Sequence, residues 1–379
     1  MAIRPSNAEP VIVVGAGAAG LAAGDALARQ GIAAVLLEKE ARSAEPWRRR
    51  HPQLNLNTHR HFSALPGVPY PDKTPAYPKR DTVAAYLDTY AAKRGLSVEY
   101  GVEVTRIERD RDGWIVQTNA GPRRTRHVVV ATGRDRAPWT PDWPGREGFA
   151  GRIVHSADFG DVHAYEGKRI LVVGGGNSAF DALNHLARVK TENIWFSLRH
   201  GPSLLPKRIS SISVHRLSGV LEWMPVRWVD WILAATQRVV FGDLSRYGMP
   251  KRKDGGASRL DSEQIAIAVD EGAVKALKAG RIRMAAPIAK FGPEGVILQD
   301  GNVIQPDIVI AATGYRSGLE PMVGDLGVLD EHGSPKVTPK HLSPLPGLWF
   351  LGMRPGLTGD FRSSVVQGQR IAKAIAKSG

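Results

Sequence analysis

The run Val11-Ile12-Val13-Val14-Gly15-Ala16-Gly17-Ala18-Ala19-Gly20 constrains this chain more than any other. Four apolar, β-branched residues predict a buried strand. Glycines at 15, 17 and 20 follow it as G-x-G-x-x-G. Gly15 allows a tight turn, Gly17 lets a pyrophosphate approach the backbone, and Gly20 lets the next helix pack against the strand. That helix, opening at Ala18 and Ala19, aims free N–H groups and the positive end of its dipole at the phosphates. It is predicted over residues 18–30, with Gly31 as its stop. A second strand, Ala34-Val35-Leu36-Leu37, ends in Glu38, 23 positions after Gly15, with Lys39 next. An acid there accepts hydrogen bonds from ribose hydroxyls. Strand, turn, helix, strand and acid in register predict a bound dinucleotide.

The pattern recurs. Ile170-Leu171-Val172-Val173 runs into Gly174-Gly175-Gly176-Asn177-Ser178-Ala179, a G-x-G-x-x-A turn. The following helix is predicted from Phe180 to about Ala187, and the strand Ile194–Leu198 ends in Arg199, 25 positions after Gly174. An acid at this place accepts from a 2′-hydroxyl, whereas an arginine pairs with a 2′-phosphate. The first site therefore reads as FAD-binding and the second as NADPH-binding. Two later strands end alike, in Ala131-Thr132-Gly133 and Ala312-Thr313-Gly314.

Between the motifs, residues 41–79 form a long Pro-, Arg-, His- and Asn-rich connection, a length usually reserved for function. Asp81 is expected to cap a helix to about Lys93. Residues 98–130 alternate as a β-meander that includes Val104, with Asp112-Gly113 as a hairpin turn. Trp228, Trp231, Ile232, Ala235 and Val239 share one helical face, read first as packing on the second nucleotide domain. A membrane-surface helix or a lid is the second reading of that face. Residues 251–262 read as a loop, and Leu348–Gly352 and 363–377 as a final strand and helix. The fold class is thus α/β: two Rossmann-like dinucleotide-binding domains plus a β-meander. The FAD domain is expected at 1–155 and 285–379. The NADPH domain, 156–284, is expected to be inserted in it, with a helical insertion at about 212–262.

Formal net charge is +14 and the isoelectric point near 10, yet no nucleic-acid module or basic tail is present. The basic residues are scattered, with short clusters at Arg48–Arg50, Arg123-Arg124 and Lys251–Lys253, and read as solvated surface. The chain has no cysteine, which excludes disulfides, thiolate metal sites and a redox dithiol. No run of about 18 apolar residues predicts a transmembrane helix, and no signal peptide precedes Val11, so the cytoplasm is expected. His51, His59 and His61 lie close in sequence beside arginines and read as polar surface, with no metal expected.

Phe149-x-Gly151-x-x-x-His155-x-x-x-Phe159 stands just before the second glycine turn. It matches the F-x-G-x-x-x-H-x-x-x-Y/F signature, and the chain resembles the class B flavin-dependent monooxygenases. Gly176-Asn177-Ser178, Leu205-Pro206-Lys207, the segment Met224–Asp243 and Thr313–Ser317 narrow the resemblance to the YUCCA-type and flavin-containing monooxygenases. The family tryptophan after the first acid is matched by Trp47, although Ala44-Glu45-Pro46 stands where relatives carry Gly-Gly. Asn57, ahead of Pro66-Gly67-Val68-Pro69-Tyr70-Pro71, matches the asparagine that works beside flavin and nicotinamide.

The resemblance implies that NADPH reduces FAD and that dioxygen adds at flavin C4a. The resulting hydroperoxyflavin would oxygenate a small substrate, a 2-oxo acid such as indole-3-pyruvate or a nitrogen or sulfur centre. Bound NADP⁺ would shield the flavin, held by Arg199 and the Gly174 turn. His155 would be structural, fixing the linker between domains. The alternatives are a flavoprotein reductase serving a quinone or protein acceptor and a non-enzymatic nucleotide sensor. A homodimer is a possible assembly, through the Trp-rich stretch 223–239.

Overall fold

The computed structural model describes residues 9–209, 212–252, 254–338 and 341–378. Lys253, the last residue of one basic cluster, lies outside them. The chain forms two compact units. One comprises the chain up to Arg49, Thr58–Ala137 and the chain from Tyr315 onward, and the other Arg50–Asn57 and Pro138–Gly314.

The first unit is built on a five-stranded parallel sheet in the order Leu348–Phe350, Val128–Val130, Val11–Val14, Ala34–Glu38, Ser97–Tyr100. Its central strand is buried throughout, as a continuous β-branched run requires when helices cover both faces. Ala18–Arg29, Arg80–Lys93 and Asp360–Ser378 are its long helices. Lys79, not Asp81, takes the N-cap of the second; Asp81 lies in the first turn, paired with Arg80. A separate antiparallel sheet, Val104–Arg109, Trp114–Thr118 and Arg123–Thr125, is the meander. It is shorter than expected, because Ser97–Tyr100 and Val128–Val130 pair with the parallel sheet instead. The Pro-rich loop 65–71 is anchored by two tyrosines of helix Arg80–Lys93. Tyr86 donates to Val68 O at 2.7 Å, and Tyr90 donates to Pro66 O at 2.8 Å.

The second unit has its own five-stranded parallel sheet, ordered Ile282–Ala285, Asn193–Ser197, Arg169–Val173, Ile308–Ala311, Arg152–His155. This moves both expected boundaries. By sequence, Arg152–His155 and Ile308–Ala311 belong to the flavin half. They are neighbours in the second sheet, where Ile308 pairs with Ile170 and with Arg152. Residues 285–314 therefore complete the second sheet and its antiparallel flap Ile288–Gly292, Gly295–Leu298, Val303–Ile304. Apart from the short segment Arg50–Asn57, the chain crosses between units at Ala137/Pro138 and Gly314/Tyr315, where sequence expects 155 and 285.

Helix Val226–Phe241 also departs from expectation. It buries Val229, Leu233 and Phe241, while Trp228, Trp231 and Val239 point to solvent. The face that sequence assigned to packing is the outer one. Lys251–Ser262 is not all loop, since Gly256–Ser262 is helical and capped by Asp230, whose Oδ1 accepts from Ala257 N at 2.7 Å.

Ala44 holds φ +65°, in the left-handed region, at the entry to the one-turn helix Glu45–Arg48. An L-residue there costs about 1–2 kcal/mol, and glycine would relieve it while gaining unfolded-state entropy worth about 0.4–1 kcal/mol. Ala44 is buried, so glycine also loses a methyl worth about 0.8 kcal/mol, and Ala44→Gly is expected to leave unfolding free energy within about 1 kcal/mol of the parent. Urea denaturation of the two proteins checks this; a loss of more than about 2 kcal/mol, the cost expected with no strain relief, contradicts it.

Candidate active site

In the first unit the glycine turn leaves the C-terminal end of Val11–Val14, where the strand order reverses between Ala34–Glu38 and Val128–Val130. Ligands of open α/β sheets bind at such a reversal. Gly15 has φ +100°, and a Cβ on it would stand 3.0 Å from Ala131 O. A Cβ on Gly20 would fall 1.8 Å from Gly15 O, so the helix can leave the turn only without a side chain there. A Cβ on Gly17 would meet nothing within 4 Å, and beyond that position there is open space. Ala18 and Ala19 open the helix beside it.

Glu38 closes the turn from the neighbouring strand. Its Oε2 accepts from Ala16 N at 2.7 Å and its Oε1 from Glu40 N at 3.1 Å. Thr132 lies beside Gly15, its Cα 3.5 Å from a Cβ built there. The Thr132 hydroxyl is buried without a hydrogen-bond partner. Gly133 follows at φ +82°. Open space over Gly17, the N-terminal end of helix Ala18–Arg29 and an unpaired hydroxyl fit a polar phosphate-bearing group.

Three other expected residues make their contacts elsewhere. Lys39 is exposed, 3.9 Å from Glu40. Trp47 packs on Phe361, ring centroids 5.9 Å apart. Val104 is a core residue, clustered with Ile107, Trp114 and Val116.

In the second unit Gly174 (φ +129°) is tighter still: a Cβ would lie 2.2 Å from Ala312 O. A Cβ on Gly176 would meet nothing within 4 Å, as at Gly17. The helix opens at Asn177, three residues earlier than sequence placed it, and buries Ala179 where the first turn has Gly20. Ser178 is the second residue of that helix. Arg199 is exposed, two residues beyond strand Asn193–Ser197. The pairing of Val173 with Ser197 puts Leu198, not Arg199, in line with Gly174, one position off the Glu38 arrangement. Sequence missed what lies next to it: Gly201 N donates to Lys251 O at 3.3 Å, so the cluster Lys251-Arg252 folds back beside Arg199-His200. The glycine at 201 was the available signal, since a Cβ there would strike Pro250 O at 2.1 Å.

Asn177 is fully engaged. Its Oδ1 accepts from Val269 N at 3.1 Å and from Asn57 Nδ2 at 3.2 Å, and its Nδ2 donates to Ile267 O at 3.1 Å. Asn57 is thus fixed at the N-terminus of the helix behind the second glycine turn. The segment carrying it is held by His51, whose Nε2 lies 2.6 Å from Asp181 Oδ2. His185 Nε2 lies 3.5 Å from the other oxygen of the same carboxylate. Burial pushes the Asp181 carboxyl up; hydrogen bonds from His185 and His51 more than reverse this and hold it well below the usual carboxylate range. These three groups also have metal-ligand spacing, all within 4.8 Å, and His51, which sequence reads as polar surface, is buried. The i, i+4 pair Asp181/His185 on one helix was the visible half of the cluster; His51, 130 residues from Asp181, was not.

The fingerprint residues are packing residues. Phe149 meets Phe291 edge to face at 5.0 Å, and a Cβ on Gly151 would fall 2.7 Å from Asp307 O. Phe159 stacks on Tyr165 at 4.9 Å. His155 accepts from Ala157 N at Nδ1 (3.0 Å), which leaves Nε2 to donate to Gly314 O at 2.9 Å. Thr313 donates to Trp139 O at 2.6 Å. Thr313 and Gly314 therefore end the strand beside the second turn. Lys207, of the Leu205-Pro206-Lys207 motif, is a buried ammonium paired with Glu271.

Residues 12–213, more than half of the chain, match the model of the pyridine nucleotide–disulphide oxidoreductase family. Rice (Oryza sativa subsp. japonica) indole-3-pyruvate monooxygenase YUCCA1 is 32% identical over 344 residues, covering 89% of this chain and 83% of that one. The probable indole-3-pyruvate monooxygenase YUCCA7 of Arabidopsis thaliana is 34% identical over 368 residues, covering 92% and 84%. A doubly substituted flavin monooxygenase from Stenotrophomonas maltophilia superposes with a TM-score of 0.77 at 25% identity, covering 98% of this chain and 99% of that one. An open crystal structure of cyclohexanone monooxygenase shares the fold at 18% identity, with a TM-score of 0.70 and coverage of 98% and 88%. Two such glycine turns, one on each parallel sheet, with these relatives, define a flavin-dependent monooxygenase that uses FAD, NADPH, dioxygen and a small-molecule substrate. Within that class the chain belongs to the YUCCA-type flavin monooxygenase family.

Burial lowers the His155 pKa, opposed by the bond to Gly314, so the folded state favours neutral imidazole. Its contribution to stability is fully present above the unfolded value, about pH 6.5, and is lost as pH falls from there through the lower folded value. His155→Gln keeps a side-chain donor without the titration. Its melting temperature is expected to fall less than that of the parent between about pH 7 and about pH 5; parallel slopes contradict this.

Proposed function

We propose that this enzyme oxygenates a small 2-oxo acid of the indole-3-pyruvate type, spending NADPH through a flavin–dioxygen adduct. The observation that carries the reading is the contrast between the two turns. A carboxylate closes the first, and an exposed arginine follows the second. An acid suits the ribose hydroxyls of FAD, and an arginine suits the 2′-phosphate of NADPH. The 2-oxo acid is favoured because the relatives at 32% and 34% identity carry that activity in their names.

Gly15, Gly17, Ala18, Ala19, Gly20, Glu38, Thr132 and Gly133 would hold FAD. Gly174, Gly176, Asn177, Ser178 and Arg199, joined by Lys251, would hold NADPH. When bound, FAD takes hydride from NADPH and activates dioxygen. What remains for the chain is to bind, orient and exclude water. Each helix presents its first N–H groups to a pyrophosphate. Asn57, pinned to Asn177, is proposed as the polar group beside the nicotinamide. Lys39, Trp47, Val104, Thr313 and Gly314 would act through packing or backbone position.

Purified yellow protein supplied with NADPH and air is expected to convert indole-3-pyruvate to its decarboxylated acid, detected by mass spectrometry. Phenylpyruvate should turn over more slowly, and trimethylamine and thioethers not at all. Turnover of only the amine or thioether contradicts the 2-oxo acid reading. Rapid quinone reduction without an oxygen adduct in stopped flow contradicts oxygenation by this chain.

Arg199→Ala is expected to raise the KM for NADPH at least tenfold, about 1.4 kcal/mol, and to leave the KM for NADH within about twofold. Equal losses for both cofactors would remove the 2′-phosphate assignment.

A further inference from the structure

The outward side of helix Val226–Phe241 carries chemistry that neither cofactor uses. At 100° per residue, Trp228, Trp231, Ala235 and Val239 share one face. Trp228 is 52% exposed, Trp231 66% and Val239 84%, and Trp223, just before the helix, is 91% exposed. Val220, at 66%, extends the patch. The opposite side is fully committed: Val229 and Leu233 are buried, Asp230 caps Gly256–Ser262, and Gln237 accepts from Leu204 N at 3.1 Å. The helix is therefore already anchored, and its aromatic face is surplus to folding.

Charge selects the occupant. Arg227 and Arg238 fall within 20° of each other along one edge of the aromatic face, both exposed. Arg246 is exposed beyond the helix end. Of the nearby acids, Asp230 is turned inward, Asp243 is paired with Arg238, and Glu222 is exposed beside Trp223, so Arg227 and Arg246 carry most of the positive charge of this edge. The formal net charge of the chain, +14, has the same sign. A second copy docked on this face would bring like-charged arginine edges into one interface. An anionic bilayer surface offers what the face lacks: phosphates for the arginines and an interfacial layer for indoles. Among the described residues no helix is long and apolar enough to cross a membrane.

We propose that this face docks the enzyme on anionic lipid bilayers, with Trp223, Trp228 and Trp231 seated among the headgroups. Flotation of the holoenzyme with vesicles of equal parts phosphatidylcholine and phosphatidylglycerol tests this. The protein is expected to float with these vesicles, with blue-shifted tryptophan emission, and to remain behind with pure phosphatidylcholine. Trp228→Gln/Trp231→Gln should weaken binding on the order of a hundredfold, and Arg227→Gln roughly fivefold. Unchanged circular dichroism and flavin absorbance would show both variants folded. Failure to float with anionic vesicles overturns the proposal, as does equal flotation of the tryptophan variant. A concentration-dependent dimer that the same variant dissociates, with no vesicle binding, would assign the face to a second copy instead.

Discussion

Each half of this enzyme depends on a side chain that is missing. A strand must turn into a helix within a few residues and leave backbone amides facing outward. At Gly20 and Gly174 a Cβ would stand 1.8 Å and 2.2 Å from a backbone carbonyl, distances that only backbone movement could relieve. The turn, the direction of the helix dipole and the opening over Gly17 and Gly176 all follow from those two positions. The β-branched strands beside them, buried on both faces, keep the turns from shifting.

The turns are alike in backbone and unlike in charge. Glu38 spends one carboxylate oxygen on Ala16 N and the other on Glu40 N, which fixes its orientation before any ligand arrives. Arg199 is exposed and lies one register position further out. A preorganised acid at one site and an exposed cation at the other match a tightly held flavin and a reductant that exchanges every cycle. The His51–Asp181–His185 cluster adds a third element by fastening the Asn57 segment to the helix of the second turn.

Sequence revealed the parts that are local. Both glycine motifs, each with its acid or arginine, sit within about thirty residues and dictate their own geometry; the fingerprint at Phe149–Phe159 is legible as a pattern, although its contacts reach Phe291, Asp307 and Gly314. Sequence failed where partners are distant. Ile308–Ala311 carries the same Ala-Thr-Gly ending as Val128–Val130, and nothing in either run says which sheet it will join; register with Ile170 decides that. Segment 50–57 was legible as functional loop but not as part of the second unit, because its anchor, Asp181, is 130 positions away from His51. Periodicity groups the tryptophans on one face, yet that face points to solvent. Periodicity reports that residues share a face, whereas burial is settled by Val229, Leu233 and Phe241, which look no more apolar in the sequence.

The central claim is that one chain holds two dinucleotides chosen by opposite charges. A crystal structure of the enzyme with FAD and NADP⁺ tests it most directly. The account predicts the flavin adenosine ribose within hydrogen-bonding distance of Glu38 and the 2′-phosphate of NADP⁺ against Arg199, with pyrophosphates over Gly17 and Gly176. Finding the 2′-phosphate in solvent, or side chains closed over the Gly174 turn, would contradict it.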